Sequence, residues 1–401
     1  MDAEKLLQFL LDSRVQPSIS PPARESYPTR IRVLQALQWG SFCIPDLAEE
    51  VNVTRQTGYR AVTPLENAGL VRKRADYFTL TCSGSRVLQA FSDVDEEITV
   101  ESLARLARSP HQQWLLQTLE QESMRKCTLV ERAQNERGPS RTTIHRILTR
   151  LQKDGSITCR SNTYELSNEG ELLYDSFEHL RKIAAEAIES QSFLRWLPAA
   201  LSSLPFESFE DSVLIHNTPD QPHNVLNAFV TGLKRDLRTF RGIGAIRSPA
   251  LDQAYRPVMN QASNADIIFT DEILFQFHSD HQFVNYAAQD DYSRYLEDGF
   301  IRNNARLLFV PKSVPLQLAI SDDSRVIMAP APSTGVLVAE STALDSSDSQ
   351  IIKWAVELFN EYVKFARPPI RVFQEHTPNS IGGEQSYEPQ LRSSIPQTKA
   401  R

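Results

Sequence analysis

The apolar residues between positions 140 and 160 repeat with the period of a helix. Ser140 stands where a helix N-cap is expected, and Gly155 stands where the helix must end. Two short strand-like runs follow, with Arg160 near the tip between them. The pattern predicts a helix followed by a β-hairpin. The apolar face of the helix consists of Ile144, Ile147, Leu148 and Leu151.

The opposite face of this predicted helix is polar and basic. Arginine can donate two hydrogen bonds to guanine, and threonine or histidine can reach bases or phosphates. Backbone N–H groups at a helix N-terminus also favour phosphate. A winged helix-turn-helix meets DNA with such a helix and hairpin, so we predict DNA contacts here; a solvated helix face is the alternative. The predicted contacts are Ser140, Arg141, Thr142, Thr143, His145, Arg146 and Arg160.

The same pattern occurs once more, 86 residues upstream and without a gap. Thr54 matches the N-cap Ser140, and Gly69 matches Gly155. Caps, apolar positions and stop signals coincide, which indicates an internal duplication of one module and not a long repeat array. The outward residues of the first copy are further predicted DNA contacts: Arg55, Gln56, Tyr59 and Arg60.

The first copy contains two residues that disfavour a helix. Gly58 replaces the residue equivalent to Ile144, and Pro64 falls inside the helix. Glycine costs roughly 1 kcal/mol and interior proline roughly 3 kcal/mol relative to alanine. We therefore expect the first helix to kink or to end early. On this hypothesis the second copy does most of the DNA reading, and the first copy assists or contacts other proteins.

Changes in pattern divide the chain into five segments. Residues 1–26 give a short helix and a Pro-rich linker, residues 27–92 the first module, and residues 100–199 the second module with a long C-terminal helix. Residues 200–368 form a further domain, and residues 369–401 are polar and expected to be disordered. The long helix carries a heptad-like seam that would either pair two chains or pack on the adjacent module. The seam consists of Leu173, Phe177, Leu180, Ala184 and Ala187.

Residues 200–368 alternate between strand-like and helical patterns, which is typical of an α/β domain. The predicted strands are 212–215, 239–246, 265–270, 306–310, 316–320, 326–329 and 336–340. The predicted helices are 225–234, 249–261, 271–277, 285–296 and 349–365. The expected fold class is multidomain, with two winged helix-turn-helix domains of α+β type followed by an α/β sensor-like domain.

Charge and cysteine content narrow the class of protein. The net charge is −7, yet residues 54–74 and 140–160 each carry an excess of Arg and Lys, as expected for local phosphate contacts on an acidic chain. The four cysteines lack CxxC spacing, which favours small buried hydrophobes in a reducing cytoplasm over a zinc site or disulfides. No long apolar run and no signal-peptide pattern occur, so we expect no membrane span.

The sequence signatures of common enzyme classes are missing from the chain. There is no GxxxxGK[ST] and no G-x-S-x-G, and residues 241–244 lack the third glycine of a dinucleotide-binding loop. The phospholipase pattern H-x-K-x₄-D is also missing. We therefore predict a protein that is not an enzyme, with no catalytic residue, no cofactor and no metal site.

A small-molecule effector is a separate prediction for the α/β domain. Sheets of this class bind ligands at the carboxyl ends of their strands. Arg247 and Ser248 follow one predicted strand and lead into a helix N-terminus, and Asp271 follows the next strand. These three residues would either bind an effector or cap the ends of helices, and the sequence leaves both interpretations open.

Eight stretches occur in a fixed order from about Ser102 to Pro368, over about two thirds of the chain. They are LARLARSPHQQWLLQTL, SRTTIHRILTRLQKDGSI, YELSNEGELLYDSFEHL, FLRWLPA, TPDQPHNVLNAF, IRSPALDQAYRPV, ADIIFTDEILFQF and KWAVELFNEYVKFARPP. In these stretches the chain resembles archaeal transcriptional regulators, found widely in halophilic archaea, that join a winged helix-turn-helix to a FilR-type methanogenesis-regulatory domain. The chain departs from them by an additional N-terminal module with a proline linker, which changes the expected half-site geometry.

The resemblance implies a DNA-binding transcription regulator with a C-terminal sensor or oligomerisation domain. It places residues 141–146 on the recognition helix and Arg160 on the wing. We expect a cytoplasmic homodimer that binds double-stranded DNA and is controlled, through its C-terminal domain, by a small-molecule effector or by protein contacts. The alternative is a tandem winged-helix module that binds proteins of the transcription or chromatin machinery without reading DNA.

Overall fold

The computed structural model of the chain divides into two compact units, residues 1–195 and residues 196–401. This division lies close to the expected boundary at residue 200. Both units contain helices and strands, so the chain is a multidomain protein of mixed secondary structure. The structure describes residues 2–12, 27–94, 98–209, 211–233, 237–246, 248–279, 299–302, 305–311, 314–331 and 342–376.

The first unit contains two modules in which three helices precede a two-stranded hairpin and a further helix. It opens with α1 (Ala3–Leu10), and the first module comprises α2 (Thr29–Leu37), α3 (Ile44–Glu50), α4 (Arg55–Asn67), β1 (Val71–Arg74), β2 (Tyr77–Leu80) and α5 (Cys82–Ser92). Helix α6 (Val100–Ala107) leads to α7 (Pro110–Gln121), β3 (Met124–Arg125), α8 (Lys126–Asn135), α9 (Arg141–Lys153), β4 (Ile157–Arg160), β5 (Thr163–Leu166), α10 (Asn168–Glu189) and α11 (Gln191–Leu194).

The two modules repeat each other in register from the third helix onward. Helices α4 and α9 begin and end at positions 86 residues apart, and the strands of the two hairpins do the same. The first two helices do not keep this offset, because α7 and α8 are longer than α2 and α3. The predicted duplication is confirmed, and its gap-free alignment holds for the later half of the module only.

Helices α4 and α9 begin and end with the same local chemistry. Thr54 accepts a hydrogen bond from the backbone N–H three residues on at 3.2 Å, and Ser140 does so at 3.3 Å. Such caps satisfy an amide that has no partner inside the helix. Gly69 and Gly155, just beyond the two helices, have φ values of 73° and 79°. Glycine adopts this left-handed region at little cost, so the predicted stop signals are confirmed.

Helix α4 does not end at Pro64. It continues to Asn67, so the expected early end is wrong. Gly58 is buried where α4 approaches α3, and a Cβ atom there would lie 3.4 Å from the Cβ of Ala48. Val62 and Leu65 are fully buried, and each contributes about 1.5–3 kcal/mol by burial, which offsets the roughly 3 kcal/mol cost of the proline.

The apolar seam of α10 is covered within the first unit. Phe177, Leu180 and Ala184 are buried, as are the other seam residues. Helix α10 packs on α1, α5, α6 and α7. Packing on neighbouring helices is therefore confirmed, and pairing of two chains through the same seam is wrong because these side chains are already covered.

An eight-stranded mixed sheet forms the centre of the described part of the second unit. The strands are β6 (Val213–His216), β7 (Thr239–Gly244), β8 (Asn264–Thr270), β9 (Phe300–Arg302), β10 (Ala305–Val310), β11 (Leu316–Ser321), β12 (Arg325–Pro330) and β13 (Thr342–Ser346). Their order across the sheet is β6-β13-β12-β11-β7-β8-β10-β9. Strands β7, β8 and β10 are parallel, whereas the other neighbours are antiparallel.

Helices cover this sheet and close its apolar core. They are α12 (Asn224–Leu233), α13 (Pro249–Gln261), α14 (Asp271–Ser279), α15 (Ser349–Phe365) and α16 (Pro369–His376). Phe229, Phe240 and Phe309 are fully buried in one cluster that strands β7, β8 and β10 share with α12 and α13. Two short 3₁₀ turns, Ala199–Leu201 and Phe206–Ser208, precede the sheet.

Most predicted elements of the α/β domain lie where the sequence placed them. Helices α13 and α15 have the predicted bounds, and six of the seven predicted strands agree with observed strands to within two residues. The predicted strand 336–340 and helix 285–296 lie outside the described residues. Strands β9 and β13 were not predicted, because segments such as Thr342–Ser346 combine apolar residues with Asp345 and show no clear alternation.

Helix α16 lies in the segment expected to be disordered, so that expectation is wrong for residues 369–376. Val372 is fully buried in the core of the unit. The ring of Phe373 packs edge-on against Phe275, with the centroids 6.0 Å apart. Burial of these side chains against the sheet stabilises a helix that is too short to form alone. The remainder of the predicted tail lies outside the described residues.

Gly170→Ala should destabilise the first unit. A Cβ atom at this position would lie 1.9 Å from the carbonyl oxygen of Ser156, at the start of α10. Overpacking of this kind costs about 1–3 kcal/mol, so we expect a lower midpoint of thermal unfolding in circular dichroism. Gly40→Ala is the matched control, since the nearest atom to its Cβ is 4.0 Å away. A Gly170→Ala protein as stable as the control would contradict the close contact between α10 and the hairpin.

Candidate nucleic-acid interface

The outward face of α9 is open to solvent along its first two turns. Ile144 and Leu148 are buried beneath it, so the helix has one face against the core and one free. Thr143 is half-buried because its side chain meets the Oγ of the N-cap Ser140 at 3.0 Å. The exposed residues are Ser140, Arg141, Thr142, His145 and Arg146. The structure therefore brings the predicted residues of this helix onto one surface.

Positive charge on this face is uncompensated near the start of the helix. Among the residues that the structure describes, no carboxylate lies within ion-pair distance of Arg141 or Arg146. At the other end, Arg150 lies 3.8 Å from Asp154, and that carboxylate also accepts from Arg105 at 2.7 Å. The uncompensated positive charge of α9 therefore lies in its N-terminal half, where an anion would be favoured.

The hairpin after α9 carries Arg160 at its tip. Ser161 and Asn162 form the turn with φ values of 51° and 65°, as a tight two-residue hairpin requires. The Arg160 side chain is 84% exposed and lies 3.7 Å from Glu165 across the two strands. An exposed ion pair of this kind contributes little to the stability of the fold. Arg160 can therefore exchange Glu165 for a phosphate at a small cost in free energy.

The first module presents an equivalent surface with different side chains. Arg55, Gln56 and Arg60 are exposed on α4, and Tyr59 is 57% exposed. Within the described chain, no carboxylate lies at ion-pair distance from Arg55 or Arg60. Tyr59 occupies the place of His145 in the second module, so one copy offers an aromatic ring where the other offers an imidazole.

Three hairpin residues of the first module were not predicted as contacts. Lys73, Arg74 and Tyr77 are exposed beside the turn at Ala75, whose φ is 52°. Burial, and secondarily repulsion from Arg74, lower the pKa of Arg72, as expected where positive charges are crowded. The run VRKR was visible in the sequence. The weak alternation of residues 70–81 places this run near the tip of a hairpin, as the structure does, although its residues were not singled out as DNA contacts.

Two of the three predicted effector residues of the second unit, Ser248 and Asp271, have structural partners. Ser248 is the N-cap of α13, and its Oγ accepts from the backbone N–H of Leu251 at 3.2 Å. Asp271 lies at the start of α14 and pairs with Arg367 at 2.5 Å. Arg247 lies outside the described residues. Capping accounts for Ser248, and an ion pair accounts for Asp271, whereas an effector role stays a prediction.

The pair of Asp271 and Arg367 joins α14 to the segment before α16. Asp271 is 5% exposed, and burial raises its pKa while the Arg367 guanidinium opposes that rise. Arg367 also pairs with Glu375 of α16, and its backbone exchanges two hydrogen bonds with Phe309. Arg367 therefore connects two helices through its guanidinium and strand β10 through its backbone.

Gln317 holds the carboxyl end of β7, a role that could not be predicted from the sequence. Its side-chain oxygen accepts from the backbone N–H groups of Ala245 and Ile246 at 2.7 and 3.1 Å. Its amide nitrogen donates to the hydroxyl of Tyr255 at 3.2 Å. Gln317 is fully buried, so these bonds satisfy polar groups that water cannot reach.

The remaining chemistry of the chain is sparse. All four cysteines are free, and Cys127 is exposed, which corrects the expectation that all four are buried. The described residues contain no group of three or more His, Cys, Asp and Glu side chains placed to hold a metal ion. Within the described ranges, no helix has the length and apolar character needed to cross a membrane.

Comparison with protein families accounts for most of the chain. Residues 25–103 and residues 100–188 each match the model of the HVO_A0261 N-terminal domain. Residues 222–364 match the middle domain of the methanogenesis regulatory protein FilR1. Two stretches of the chain are therefore similar to the HVO_A0261 N-terminal domain, and one stretch is similar to the FilR1 middle domain. The first module, expected from the sequence to be an addition to the resemblance, matches the same model as the second.

Three solved structures are similar to parts of the chain. NucT from Helicobacter pylori is 14% identical, covers 39% of this chain and 98% of its own, and has a TM-score of 0.28. TrmBL2, titled an archaeal chromatin protein with a novel mode of DNA binding, is 14% identical, covers 71% and 99%, and has a TM-score of 0.30. Nuc from Salmonella typhimurium, a phospholipase D family member, is 10% identical, covers 39% and 96%, and has a TM-score of 0.27. TM-scores of this size do not establish a shared fold. No curated protein matches the chain.

Arg367→Met should destabilise the second unit more at pH 8 than at pH 5. Burial already raises the pKa of Asp271, and loss of the guanidinium would raise it further. A carboxyl group with a raised pKa favours the folded state below that pKa, and this contribution is lost as the pH rises through it. Removing one partner of a buried ion pair lowers the free energy of unfolding by about 3–5 kcal/mol. Urea unfolding of the variant and the wild type at the two pH values measures this loss. Arg371→Met, an exposed change on α16, is the control. An equal loss of unfolding free energy at pH 5 and pH 8 would contradict the prediction that Asp271 is left ionised and unpaired at the higher pH.

Proposed function

We propose that the chain is a transcription regulator that reads double-stranded DNA with α9, which acts as the recognition helix of a winged helix-turn-helix. The observation that carries this proposal is the exposed pair Arg141 and Arg146 on a helix capped by Ser140 and followed by a hairpin with Arg160 at its tip. The match to a middle domain named for a methanogenesis regulatory protein supports a regulatory role.

The geometry of α9 suits the major groove of DNA. Its outward residues recur at spacings of three to four, so Arg141, Thr142 and His145 project from the same side. An arginine in the groove can donate two hydrogen bonds to guanine, whereas threonine and histidine can reach adjacent base edges or phosphates. The backbone at the N-terminus of the helix favours a phosphate, and Arg160 of the wing can neutralise another.

The second candidate function is a protein-interaction module that does not read DNA. The exposed aromatic residues Tyr59 and Tyr77 of the first module favour it, because aromatic side chains are enriched at protein interfaces. Salt dependence separates the two functions. A protein that reads DNA loses affinity steeply as the salt concentration rises. The logarithm of its binding constant falls against the logarithm of the salt concentration with a slope of about −0.9 for each phosphate contact.

The FilR1 middle domain is, in this proposal, a binding domain that controls DNA reading and not an enzyme. No phospholipase pattern or other nucleophile motif in the sequence supports catalysis. Arg247 remains the candidate for an anionic effector, since Ser248 and Asp271 already have structural partners. Turnover by the purified chain that is lost on changing one residue of this domain would overturn the assignment.

A homodimer and a cytoplasmic location complete the proposed function. Symmetric helix-turn-helix dimers match palindromic half-sites, which is the reason for expecting a dimer. Any dimer contact must use a surface other than the α10 seam, because Phe177 and Leu180 of that seam are buried within the chain. The cytoplasm is proposed because the partner is chromosomal DNA.

Arg141→Ala combined with Arg146→Ala should abolish specific DNA binding. Each lost bidentate contact to guanine costs about 1–3 kcal/mol, or roughly 5- to 150-fold in affinity. The DNA would be selected from a random library by the wild-type chain, and affinity would then be measured against salt concentration. If the arginines contact phosphates, the logarithmic salt slope should fall by about 0.9 for each one.

Lys353→Ala combined with Arg371→Ala is the matched control for this experiment. It removes the same charge from exposed positions of the second unit. The control should bind as the wild type does.

Genome-wide crosslinking gives the cellular counterpart: occupied sites of the tagged chain should vanish with Arg141→Ala. Sites that persist in that variant, or equal losses in the control, would refute DNA reading by α9.

A further inference from the structure

We propose that one chain contacts DNA with both modules at once, so that its DNA site consists of two non-identical segments, one read by α4 and one by α9. This inference rests on the proposed function and extends it to the architecture of the binding site. It replaces the hypothesis, formed from the sequence, that the first module is a weaker copy.

Helix α4 is as complete as α9. It has the same length, the same type of N-cap and the same left-handed glycine after its end. Even a detail of the outward face is repeated: Thr63 donates to the carbonyl of Tyr59 at 2.9 Å, and Thr149 donates to the carbonyl of His145 at 2.9 Å. Pro64 and Gly58, the reason to expect a damaged helix, leave its exposed basic face intact.

Direct contacts join the two modules to each other and to α1. Helix α10 of the second module packs against α5 of the first. Helix α1 contacts both modules, since Gln8 donates to the carbonyl of Ala107 at 2.8 Å and Arg30 lies 3.6 Å from the ring centroid of Phe9. The modules therefore belong to one packed unit and are not two domains on a flexible tether.

Surface hydrogen bonds hold the C-terminal ends of both helices. The carbonyl of Asn67, the last residue of α4, accepts from Gln191 of α11 at 2.9 Å. The same glutamine fills the space above Gly69, where a Cβ would lie 2.7 Å from its Cγ. At the end of α9, Asp154 accepts from Arg105 of α6 at 2.7 Å. Each helix is thus held at its C-terminus by an element outside its own hairpin, while its N-terminal half is left exposed.

A second recognition helix is what other helix-turn-helix proteins obtain by dimerising. Here helix α10, whose seam resembled a dimer contact, packs against α5 and so joins the two modules of one chain instead. The chain therefore supplies both helices itself. Within the described residues, no acidic partner lies at ion-pair distance from Arg55 and Arg60 of α4 or from Arg141 and Arg146 of α9, so both surfaces favour a polyanion.

The two surfaces differ in chemistry, so they should select different bases. Tyr59 replaces His145 on the helix, and the exposed Lys73 and Tyr77 of the first hairpin correspond to Cys159 and Thr163 in the second. Tyrosine offers an apolar ring for the thymine methyl group or a sugar, which imidazole does not match. The paired segments should consequently differ in sequence, unlike the identical halves of a palindrome.

The test compares two double variants of the full chain on DNA selected by the wild type. Arg55→Ala with Arg60→Ala removes the charges of α4, Arg141→Ala with Arg146→Ala removes those of α9, and Lys353→Ala with Arg371→Ala is the control. Light scattering of the complex gives the number of chains on the DNA, and hydroxyl-radical footprinting gives the protected segments. Unchanged unfolding midpoints establish that each variant is folded.

The proposal expects two protected segments for each chain on the DNA, whether the chain binds alone or as the proposed homodimer. Each double variant should lose at least about tenfold in affinity and lose protection over a different segment, whereas the control should lose neither. A single segment that depends only on Arg141 and Arg146, with wild-type affinity for the Arg55 and Arg60 variant, would overturn the inference while leaving the proposed function intact. That result would assign the surface of α4 to a protein partner. Failure of the wild type to select any DNA sequence would overturn the proposed function itself.

Discussion

The burial of α10 against α1 and α5 is the contact on which the first unit depends. Phe177 and Leu180 are almost completely removed from solvent, and each contributes about 1.5–3 kcal/mol through burial. Domains as small as these modules have little core of their own, so shared burial matters more to them than to larger domains. The same contact that stabilises the modules also decides that their two basic helices move together. Stability and the spacing of the candidate interface therefore have one physical origin in this chain.

Features that depend on neighbouring residues could be predicted from the sequence. The N-caps Thr54 and Ser140, the stop at Gly155, and the bounds of α13 and α15 follow from signals within a few residues of each element. The outward face of α9 follows from its period, since burial of Ile144 decides which side remains exposed. These predictions succeeded because caps, glycines and helical periodicity act locally and keep their meaning in any fold.

Features that depend on distant partners could not be predicted. Asp271 was assigned as an effector ligand or cap, but its partner Arg367 lies 96 residues away. Gln317 bonds the end of β7 from 71 and 72 residues away, and no periodic signal connects the two segments. The tolerance of α4 for Pro64 has the same cause, since tertiary burial outweighs a local penalty of roughly 3 kcal/mol. Periodicity describes one element at a time, whereas these contacts arise only when elements meet.

Comparison of the two modules distinguishes residues that the fold requires from residues exposed on the candidate interface. Positions that hold the backbone are chemically equivalent in both copies: Gly84 and Gly170 leave 2.0 and 1.9 Å between a Cβ and the nearest carbonyl oxygen, so neither admits a side chain. Outward positions have diverged, as Tyr59 and His145 illustrate. A copy that had become a mere spacer would have no reason to retain two exposed arginines on a capped helix, because such charges add nothing to its core. Retained geometry with altered outward chemistry is the pattern expected of two surfaces that bind the same kind of partner and read different parts of it.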